Sequence, residues 1–278
     1  MHPRIYNERA GCTKDYVANL KNSKPVVLSI AGHDPSSGAG ITADIKTITA
    51  HRCYGLTCIT ALTIQSSRGV RDVEPVEGRM VSEILEELAN DVDIAAVKIG
   101  MLGSAEVARA VAAFLKRYHM KHVVLDPILK SSSGADLLSK DGLQIMRDKL
   151  LPEATVITPN IAEAAALAGM EVTGVDEMKA AALRLQRARA RNVIVTGGHL
   201  STPVDLISPE SGDGFTILKG ENIASASTHG TGCAFSTALA CNLALGKSLV
   251  QSAKLAKTYV ESGLRKALQI GKGVGPVV

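Results

Sequence analysis

Tryptophan is absent from this 278-residue chain, which has only three phenylalanines and five tyrosines. Side chains that could stack on the bases of single-stranded nucleic acid are therefore scarce. An excess of positive charge is missing too, because 31 Lys and Arg oppose 27 Asp and Glu and leave a net charge of +4. The densest basic segment, 184–191, is typical of the solvated face of a helix. The composition therefore argues against nucleic acid as a partner.

Closely spaced cysteines and long apolar runs are also lacking. The five cysteines show no spacing typical of a metal site, and no segment has the pattern of a secretory signal or a membrane span. Free thiols persist in a reducing compartment. We therefore expect a cytoplasmic protein that has no membrane partner. The cysteines are Cys12, Cys53, Cys58, Cys233 and Cys241.

The remaining composition is that of an ordinary globular protein, with 46% hydrophobic and 21% charged residues. A chain of this length can bury a large core. There is no internal repeat and no linker long enough to divide the chain. We expect one domain over residues 25–278, preceded by a polar extension, residues 1–24, to which we assign no chemistry.

Short β-branched runs alternate with longer helical patterns. Strands are predicted at 26–31, 56–64, 95–99, 122–125, 155–157 and 192–196, and an antiparallel hairpin at 204–208 and 215–219. Helices are predicted at 41–51, 77–90, 105–118, 140–149, 161–168, 177–190, 233–245 and 249–268. This alternation predicts an α/β fold with a mostly parallel sheet between helices. Ligands in such folds bind at the carboxyl ends of the strands.

Two glycine-rich turns each lead directly into a predicted helix. The turn Gly230-Thr231-Gly232 opens the helix that begins at Cys233, and residues 32–40 follow the first strand. The first turn of a helix has unpaired N–H groups and a partial positive charge, which suit phosphate oxygens. The two turns therefore predict a phosphate-handling enzyme with one shared ligand site.

Two carboxylates at strand ends are candidate Mg²⁺ ligands. Asp126 and Glu163 follow the fourth and fifth predicted strands. Phosphoryl transfer needs a cradle for the phosphate, a divalent cation and a base, and Mg²⁺ prefers carboxylate oxygens. The alternative is structural, because Asp126 before Pro127 can set a turn, and Asn160 with Glu163 can form a capping box.

Cys233 is the candidate base. A thiol at a helix N-terminus has a lowered pKa, which would make its thiolate competent near neutral pH. The alternative is an inert buried cysteine, as we expect for Cys53, Cys58 and Cys241. Nearby candidates also have plain alternatives. The alternative for Lys98 is a structural ion pair with a carboxylate, and the alternative for Met101 is a side chain that fills the core.

Seven segments together resemble one known family. They are residues 31–46, 60–65, 98–102, 158–160 with 163–167, 197–199, 228–233 and 271–276. In this order they resemble the hydroxymethylpyrimidine and hydroxymethylpyrimidine-phosphate kinases of thiamine biosynthesis, a branch of the ribokinase-like superfamily. The resemblance covers residues 26–278. It implies a three-layer α/β/α sandwich, usually dimeric, that phosphorylates an aminopyrimidine with ATP and Mg²⁺.

The resemblance also implies roles for individual residues. Cys233 stands where most sugar kinases of the superfamily have an aspartate base, and the backbone of 230–233 forms the anion hole. Asp44 and Gln65 would hydrogen-bond the aminopyrimidine. The residues that would line the pocket for the pyrimidine ring are Gly32, Thr63 and Met101. The residues that would bind Mg²⁺ and ATP are Asp126, Asn160, Glu163, Thr196, Gly198 and Thr228.

One position departs from the family pattern. Many relatives have a lysine directly before the Gly-Gly-His segment, whereas this chain has Thr196. Lys130 is a candidate replacement for the missing charge. Two alternative functions remain open, a pyridoxal or pyridoxine kinase on the same fold and a non-catalytic pyrimidine-binding regulator.

Overall fold

A single nine-stranded sheet forms the centre of the protein. The structure is a computed structural model that describes residues 24–131, 134–198 and 200–277. The strand order is β3-β2-β1-β4-β5-β6-β7-β8-β9. The six neighbouring strands β2, β1, β4, β5, β6 and β7 are parallel. The strands are β1 Val26–His33, β2 Tyr54–Ser66, β3 Gly69–Pro75, β4 Ala96–Ile99, β5 Val123–Leu125, β6 Val156–Ile157, β7 Asn192–Gly197, β8 Val204–Ser208 and β9 Thr216–Lys219.

Helices cover both faces of the sheet, as the sequence predicts. The helices are α1 Gly40–Ala50, α2 Gly78–Asp91, α3 Ala105–Tyr118, α4 Lys140–Ile145, α5 Ile161–Ala168, α6 Val175–Arg187, α7 Thr231–Ala244 and α8 Leu249–Lys266. Helices α2 to α6 pack on one face, and α1, α7 and α8 pack on the other. The three-layer α/β/α sandwich is therefore confirmed.

Alternation along the strands divides the core between the two faces. In β1, Leu28 and Ile30 face α2 and α3, whereas Val27 faces α7 and α8. Residues of opposite parity on a strand point to opposite faces. Ser29 and Lys98 are paired across β1 and β4 and share the α1 and α7 side. Two polar side chains are thereby placed in an otherwise apolar layer.

The edges of the sheet differ from the sequence-based expectation. The parallel strand predicted at 56–64 is longer, and it forms a hairpin with β3, which the sequence did not indicate. Strand β3 lies at the sheet edge and is largely polar, so a hydrophobic pattern is weak there. Helix α4 ends earlier than predicted, since a π-helical turn, Met146–Leu150, and a 3₁₀ turn, Leu151–Glu153, follow it.

The glycine-rich C-terminal segment is ordered against the rest of the fold. The composition of residues 271–276 predicts a flexible tail that could also fold over a ligand. Instead, the N–H of Val274 donates to the carbonyl of Ser67, at 2.9 Å, in the β2–β3 turn. The N–H of Val277 donates to the carbonyl of His229 at 3.1 Å. The tail thus joins the β2–β3 hairpin to the turn that precedes α7.

The described part of the chain contains no helix with the length and apolar character needed to cross a bilayer. The predicted extension, residues 1–24, lies outside the described residues except for its last residue, Lys24. His199 of the Gly-Gly-His segment and Val278 also lie outside them.

Candidate active site

A cavity of about 720 Å³ lies at the carboxyl ends of the central parallel strands. Its size is that of a small-molecule site. Two residues of the predicted set, Asp44 and Gly198, are not part of its wall. The predicted residues that line it are Gly32, Thr63, Gln65, Lys98, Met101, Asp126, Lys130, Asn160, Glu163, Thr196, Thr228, Gly230, Thr231, Gly232 and Cys233.

The two glycine-rich turns meet at this cavity. Gly230 is the N-cap of α7 and has a left-handed backbone, with φ of +82°. A Cβ atom on Gly230 would overlap the carbonyl oxygen of Gly38, and one on Gly38 would overlap the ring of His229. Only glycine allows this approach. Residues 32–40 and 228–233 are therefore in contact and line one cavity, as a shared ligand site would require.

Asp34 fixes the shape of the first turn. Its carboxylate accepts hydrogen bonds from the N–H and hydroxyl of Ser36, at 2.8 and 2.6 Å, and from the N–H groups of Gly38 and Ala39, at 3.2 and 2.9 Å. Burial raises the pKa of Asp34, but the hydrogen bonds from His229 and Ser36 outweigh it and lower the pKa below its ordinary value. Asp34 is therefore an anion that holds the entry to α1.

Cys233 lies in the first turn of α7 and lines the cavity floor, with 7% of its surface exposed. Burial raises the pKa of its thiol to about 11, against the opposing charge of Lys98, and the carboxylates Asp126 and Asp44 raise it further. The prediction of a lowered pKa is therefore wrong, because desolvation and two anions outweigh the helix terminus and the ammonium group. The sulfur is nevertheless among polar groups rather than sealed in the apolar core.

Asp44 and Lys98 form a fully buried ion pair beneath the cavity. The ammonium group of Lys98 lies 3.1 and 2.9 Å from the two carboxylate oxygens of Asp44. Both side chains are fully buried. Burial lowers the pKa of Lys98, but the charges of Asp44, Cys233 and Asp126 outweigh it and raise the pKa. Lys98 therefore places a fixed positive charge at the floor of the site.

The structure corrects the role expected for Asp44. The hydroxyl of Ser29 donates to one of its carboxylate oxygens at 2.5 Å, and that of Thr237 donates to the other at 2.7 Å. With Lys98 these donors occupy both oxygens, and Asp44 lies outside the cavity wall. Asp44 therefore does not border the space that the cavity offers a ligand. It holds Lys98 in place instead.

The two candidate metal ligands are close to each other. The hydroxyl of Ser236 donates to Asp126 at 2.9 Å, and the N–H of Asn160 donates to Glu163 at 2.9 Å. Burial raises the pKa of Asp126 to about 6 and that of Glu163 to about 8, and the charge on Asp126 adds to the rise at Glu163. The predicted capping box also exists, since Asn160 accepts from the N–H of Glu163.

These carboxylates fit a cation that is completed by other ligands. Among the described residues no group of three His, Cys, Asp or Glu side chains is placed to hold a metal ion unaided. Mg²⁺ commonly takes one or two carboxylates and completes its shell with phosphate oxygens and water. Two buried carboxylates that resist simultaneous ionisation gain from such a cation. Asp126 and Glu163 are therefore suitable for Mg²⁺ delivered with a nucleotide.

Stability should respond to pH through Glu163. Its folded-state pKa of about 8 exceeds its ordinary value of 4.5, so the folded protein binds the proton more tightly than the unfolded chain. This contribution is complete below the unfolded pKa and is lost as pH rises toward the folded pKa. We predict that the urea midpoint without Mg²⁺ falls between about pH 5 and 8, and that Glu163→Gln flattens the decline. An equal decline in the variant would contradict this assignment.

The other predicted nucleotide residues vary in exposure. The ammonium group of Lys130 lies 3.3 Å from Asp136, and both side chains are largely exposed. Thr196 is paired with Asn160 across β6 and β7, at the cavity wall. Thr228 also lines the cavity, whereas Gly198 is exposed and outside its wall. The structure therefore gathers all of this group except Gly198 at one opening.

Sequence reasoning missed several residues that the site contains. Asp34 and His229 line the cavity and are bonded to each other at 2.8 Å, although they are far apart in the chain. Val274 of the tail also lines it. His229 lies within the glycine-rich segment 228–233, and Asp34 lies within the glycine-rich segment 32–40. Their positions in these two motifs were the only indication in the sequence of a role in the site. Their pairing required the tertiary fold.

Comparisons with known proteins agree with this site. A sequence profile described as phosphomethylpyrimidine kinase matches residues 34–278. The chain is 41% identical to the hydroxymethylpyrimidine/phosphomethylpyrimidine kinase of Haemophilus influenzae, over 90% of this chain and 94% of the relative. It is 40% identical to the thiamine biosynthesis bifunctional protein ThiED of Geobacter sulfurreducens, over 90% of this chain, and spans about half of that protein, 51%.

A solved structure supports the same fold. The ADP complex of a Bacillus subtilis pyridoxal kinase superposes with a TM-score of 0.83 at 32% identity, covering 91% of this chain and 96% of the other. The profile match includes Cys233 and both carboxylates, and each of the two curated relatives aligns over 90% of this chain. This chain is a kinase of the phosphomethylpyrimidine kinase family.

Proposed function

We propose that this protein transfers phosphate from ATP to 4-amino-5-hydroxymethyl-2-methylpyrimidine and to its monophosphate, in thiamine biosynthesis. The observation that carries the proposal is the meeting of the two glycine turns. It puts an anion-binding helix start, the Cys233 thiol and the ring-sized pocket beside Gln65 in one cavity. The relatives named for this activity support the substrate.

The ring would lie between β1, β2 and the segment after β4. Gly32 and Met101 line one side of this ring slot, where a Cβ atom on Gly32 would lie 3.0 Å from the sulfur of Met101. Gln65 and Thr63 supply the polar groups of this slot. An amide and a hydroxyl can satisfy an amino group and ring nitrogens. The role first expected of Asp44 passes to these side chains.

The phosphate side would be built from α7 and the carboxylates. The backbone N–H groups at the start of α7, within residues 230–233, would bind the oxygens of the transferred phosphate. Asp126 and Glu163 would hold Mg²⁺, which supplies charge neutralisation when bound with ATP. Asn160, Thr196 and Thr228 border the same opening. Asp126 and Lys98 also lie near Cys233, so the phosphate-binding part of the cavity adjoins the proposed base.

Cys233 would take the proton of the hydroxymethyl group. Its raised pKa of about 11 means that the thiol is protonated at neutral pH unless nearby charge changes. A cation on Asp126 offsets one of the two anions that raise the pKa, while Lys98 remains and favours the thiolate. The thiolate then accepts the proton as the hydroxyl oxygen bonds to phosphorus, and ADP leaves.

A second activity is favoured by one observation. The fold matches a pyridoxal kinase at a TM-score of 0.83 and 32% identity, which favours a pyridine of similar size as a second substrate. Both substrates carry a hydroxymethyl group on a planar ring. Side-by-side kcat/KM values separate the two, and a preference for pyridoxal would overturn the pyrimidine assignment.

ADP formation coupled to a colour reaction tests the proposed function. Hydroxymethylpyrimidine, its monophosphate and pyridoxal serve as acceptors, each with and without Mg²⁺. We expect ADP release with both pyrimidines and its loss when EDTA removes the metal. Binding of pyrimidine without any ADP release would establish the non-catalytic regulator instead. Release with the monophosphate alone would limit the protein to the second step.

Lys130 gives a prediction about the nucleotide. If it replaces the lysine absent at position 196, then Lys130→Ala should raise KM for ATP by about five- to ten-fold, as expected for a partly exposed charge–phosphate contact. The KM for pyrimidine should stay the same. Asp136→Ala is the matched control, because it frees Lys130 from its partner without removing the charge. Unchanged KM for ATP in Lys130→Ala would remove this residue from the site.

Assembly and location remain predictions. We propose a homodimer, because symmetric pairs are the commonest assembly of soluble proteins and are usual in this family. Light scattering on the purified protein measures the mass directly, and a monomer at micromolar concentration would contradict the proposal. The cytoplasm is the expected compartment.

A further inference from the structure

His229 connects four parts of the site. Its ring nitrogen Nε2 lies 2.8 Å from a carboxylate oxygen of Asp34 and 3.1 Å from the side-chain amide of Gln65. Its ring packs on Gly38. Its backbone is bonded to Gly275 and Val277 of the C-terminal tail, at 3.1 Å each. The next residue, Gly230, begins the anion turn. One side chain thus joins the ring slot to the phosphate site.

The proton on Nε2 follows from the neighbours of Asp34. Asp34 is ionised, since its pKa lies below its ordinary value, and a carboxylate only accepts hydrogen bonds. The side chains of Asp34 and His229 are 4% and 13% exposed, so water does not replace the contact. The Nε2 atom must therefore carry hydrogen and donate to Asp34. It has no lone pair left to accept one from Gln65.

This fixes the orientation of the Gln65 amide. Rotation by half a turn exchanges the amide nitrogen and oxygen with little change in shape, and the hydrogen bonds decide between the two. Only the carbonyl oxygen can face a protonated Nε2. The NH₂ group then faces the hydroxyl oxygen of Thr63, which is 3.2 Å from the other amide atom.

Thr63 independently requires the same orientation. Its hydroxyl lies 2.9 Å from the carbonyl oxygen of His33, and it has one proton to donate. With that proton on His33, the Thr63 oxygen can only accept from Gln65. The hydrogen bonds therefore run from the Nε2 proton of His229, shared between the oxygens of Asp34 and Gln65, from one N–H of Gln65 to Thr63, and from Thr63 to the carbonyl of His33. The second N–H of Gln65 has no partner within this set.

We propose that His229 is a specificity-determining positioning residue, which fixes Gln65 so that its second N–H points into the ring slot as a donor. The ligand must then present an acceptor, a ring nitrogen of an amino-substituted six-membered heterocycle, at that point. This inference rests on the proposed function. It adds that recognition of the ring depends on a residue of the anion turn, which couples correct ring placement to the shape of the phosphate site.

Calorimetry with a non-hydrolysable ATP analogue tests the proposal. His229→Leu removes the donor and retains bulk, whereas His229→Gln keeps an N–H group near the same place. We expect His229→Leu to raise the Kd of hydroxymethylpyrimidine about ten-fold, the effect of one lost hydrogen bond, and His229→Gln to restore most of it. Equal Kd values in both variants and the native protein would overturn the proposal.

Substrate analogues locate the donor. In two pyridine analogues, CH replaces one or the other ring nitrogen of the pyrimidine. We expect one analogue to bind the native protein about ten-fold more weakly than the parent, and this difference to vanish in His229→Leu. Parent and analogues that bind alike would overturn the inference but leave the proposed function intact. A native protein that does not bind the parent would overturn the proposed function itself.

The amide orientation can also be measured without any variant or ligand. In ¹⁵N-labelled native protein, the Gln65 NH₂ protons should show nuclear Overhauser effects to the methyl group of Thr63. Effects to the ring protons of His229 instead would contradict the orientation. This measurement decides the matter even if His229→Leu fails to fold.

Discussion

Replacing Cys233 with alanine should lower kcat by about two to four orders of magnitude, the range expected for loss of a general base. Pyrimidine binding should change little, because the proposed ring slot is lined by Gln65, Thr63 and Met101 and does not depend on the thiol. Steady-state kinetics gives kcat, and calorimetry gives the Kd. Cys233→Ser should also be slow, since a serine hydroxyl is a much weaker acid than a thiol and yields little anion.

Cys58→Ala is the matched control for this prediction. Cys58 is fully buried, and burial raises the pKa of its thiol to about 12, close to the value at Cys233. It lies on the opposite face of the sheet, among residues that pack on α2. Its loss should leave kcat unchanged. A near-normal kcat in Cys233→Ala would contradict the role of this thiol as base.

Replacing Lys98 with methionine should have the largest effect on folding. The change leaves the carboxylate of Asp44 buried and without its cation, and removing one partner of a buried ion pair costs about 3–5 kcal/mol. The free energy of unfolding, measured in urea, should fall by this amount. The activity of the folded fraction should also fall, because the positive charge beside Cys233 is lost.

A double variant separates charge from packing. Lys98→Met combined with Asp44→Asn removes the unpaired anion and should recover a large part of the lost stability. It should not recover kcat, since the positive charge beside Cys233 is still missing. Recovery of both, or a Lys98→Met protein as stable as the native one, would contradict this account of the buried pair.

The sequence was sufficient for the fold because its signals were local. Glycines between apolar strands and periodic helices placed α1 and α7 correctly, and the alternation of parallel strands with helices placed the site at the carboxyl ends of the strands. Strand β3 escaped prediction because an edge strand buries little and needs no apolar face. The π-helical turn Met146–Leu150 depends on packing, which no local pattern records.

The burial of Asp44 and its ion pair with Lys98 could have been inferred from the sequence. It lies on the same helical stripe as Ile41 and Ile48, which are buried against the sheet. Lys98 lies within an apolar strand that is covered on both sides. A buried acid and a buried base in one fold must pair. The family resemblance implied that Asp44 binds the pyrimidine, whereas the helical spacing of Ile41, Asp44 and Ile48 indicated that Asp44 is buried in the core.

The pKa of Cys233 could not be inferred in this way. The helix terminus is visible in the sequence, but the distances from the sulfur to Asp126, Asp44 and Lys98 are set by four separate elements. The pair of His229 and Asp34 likewise joins the two ends of the chain. Electrostatics of this kind requires the three-dimensional arrangement.

The product of the reaction tests the central claim most directly. ³¹P NMR of the native protein with Mg²⁺, ATP and hydroxymethylpyrimidine should show a new phosphate monoester and then a diphosphate, while ADP accumulates. The same spectra for Cys233→Ala should lack these signals over the same period. ATP that stays intact beside a bound pyrimidine, or equal product from the Cys233→Ala protein, would contradict the account.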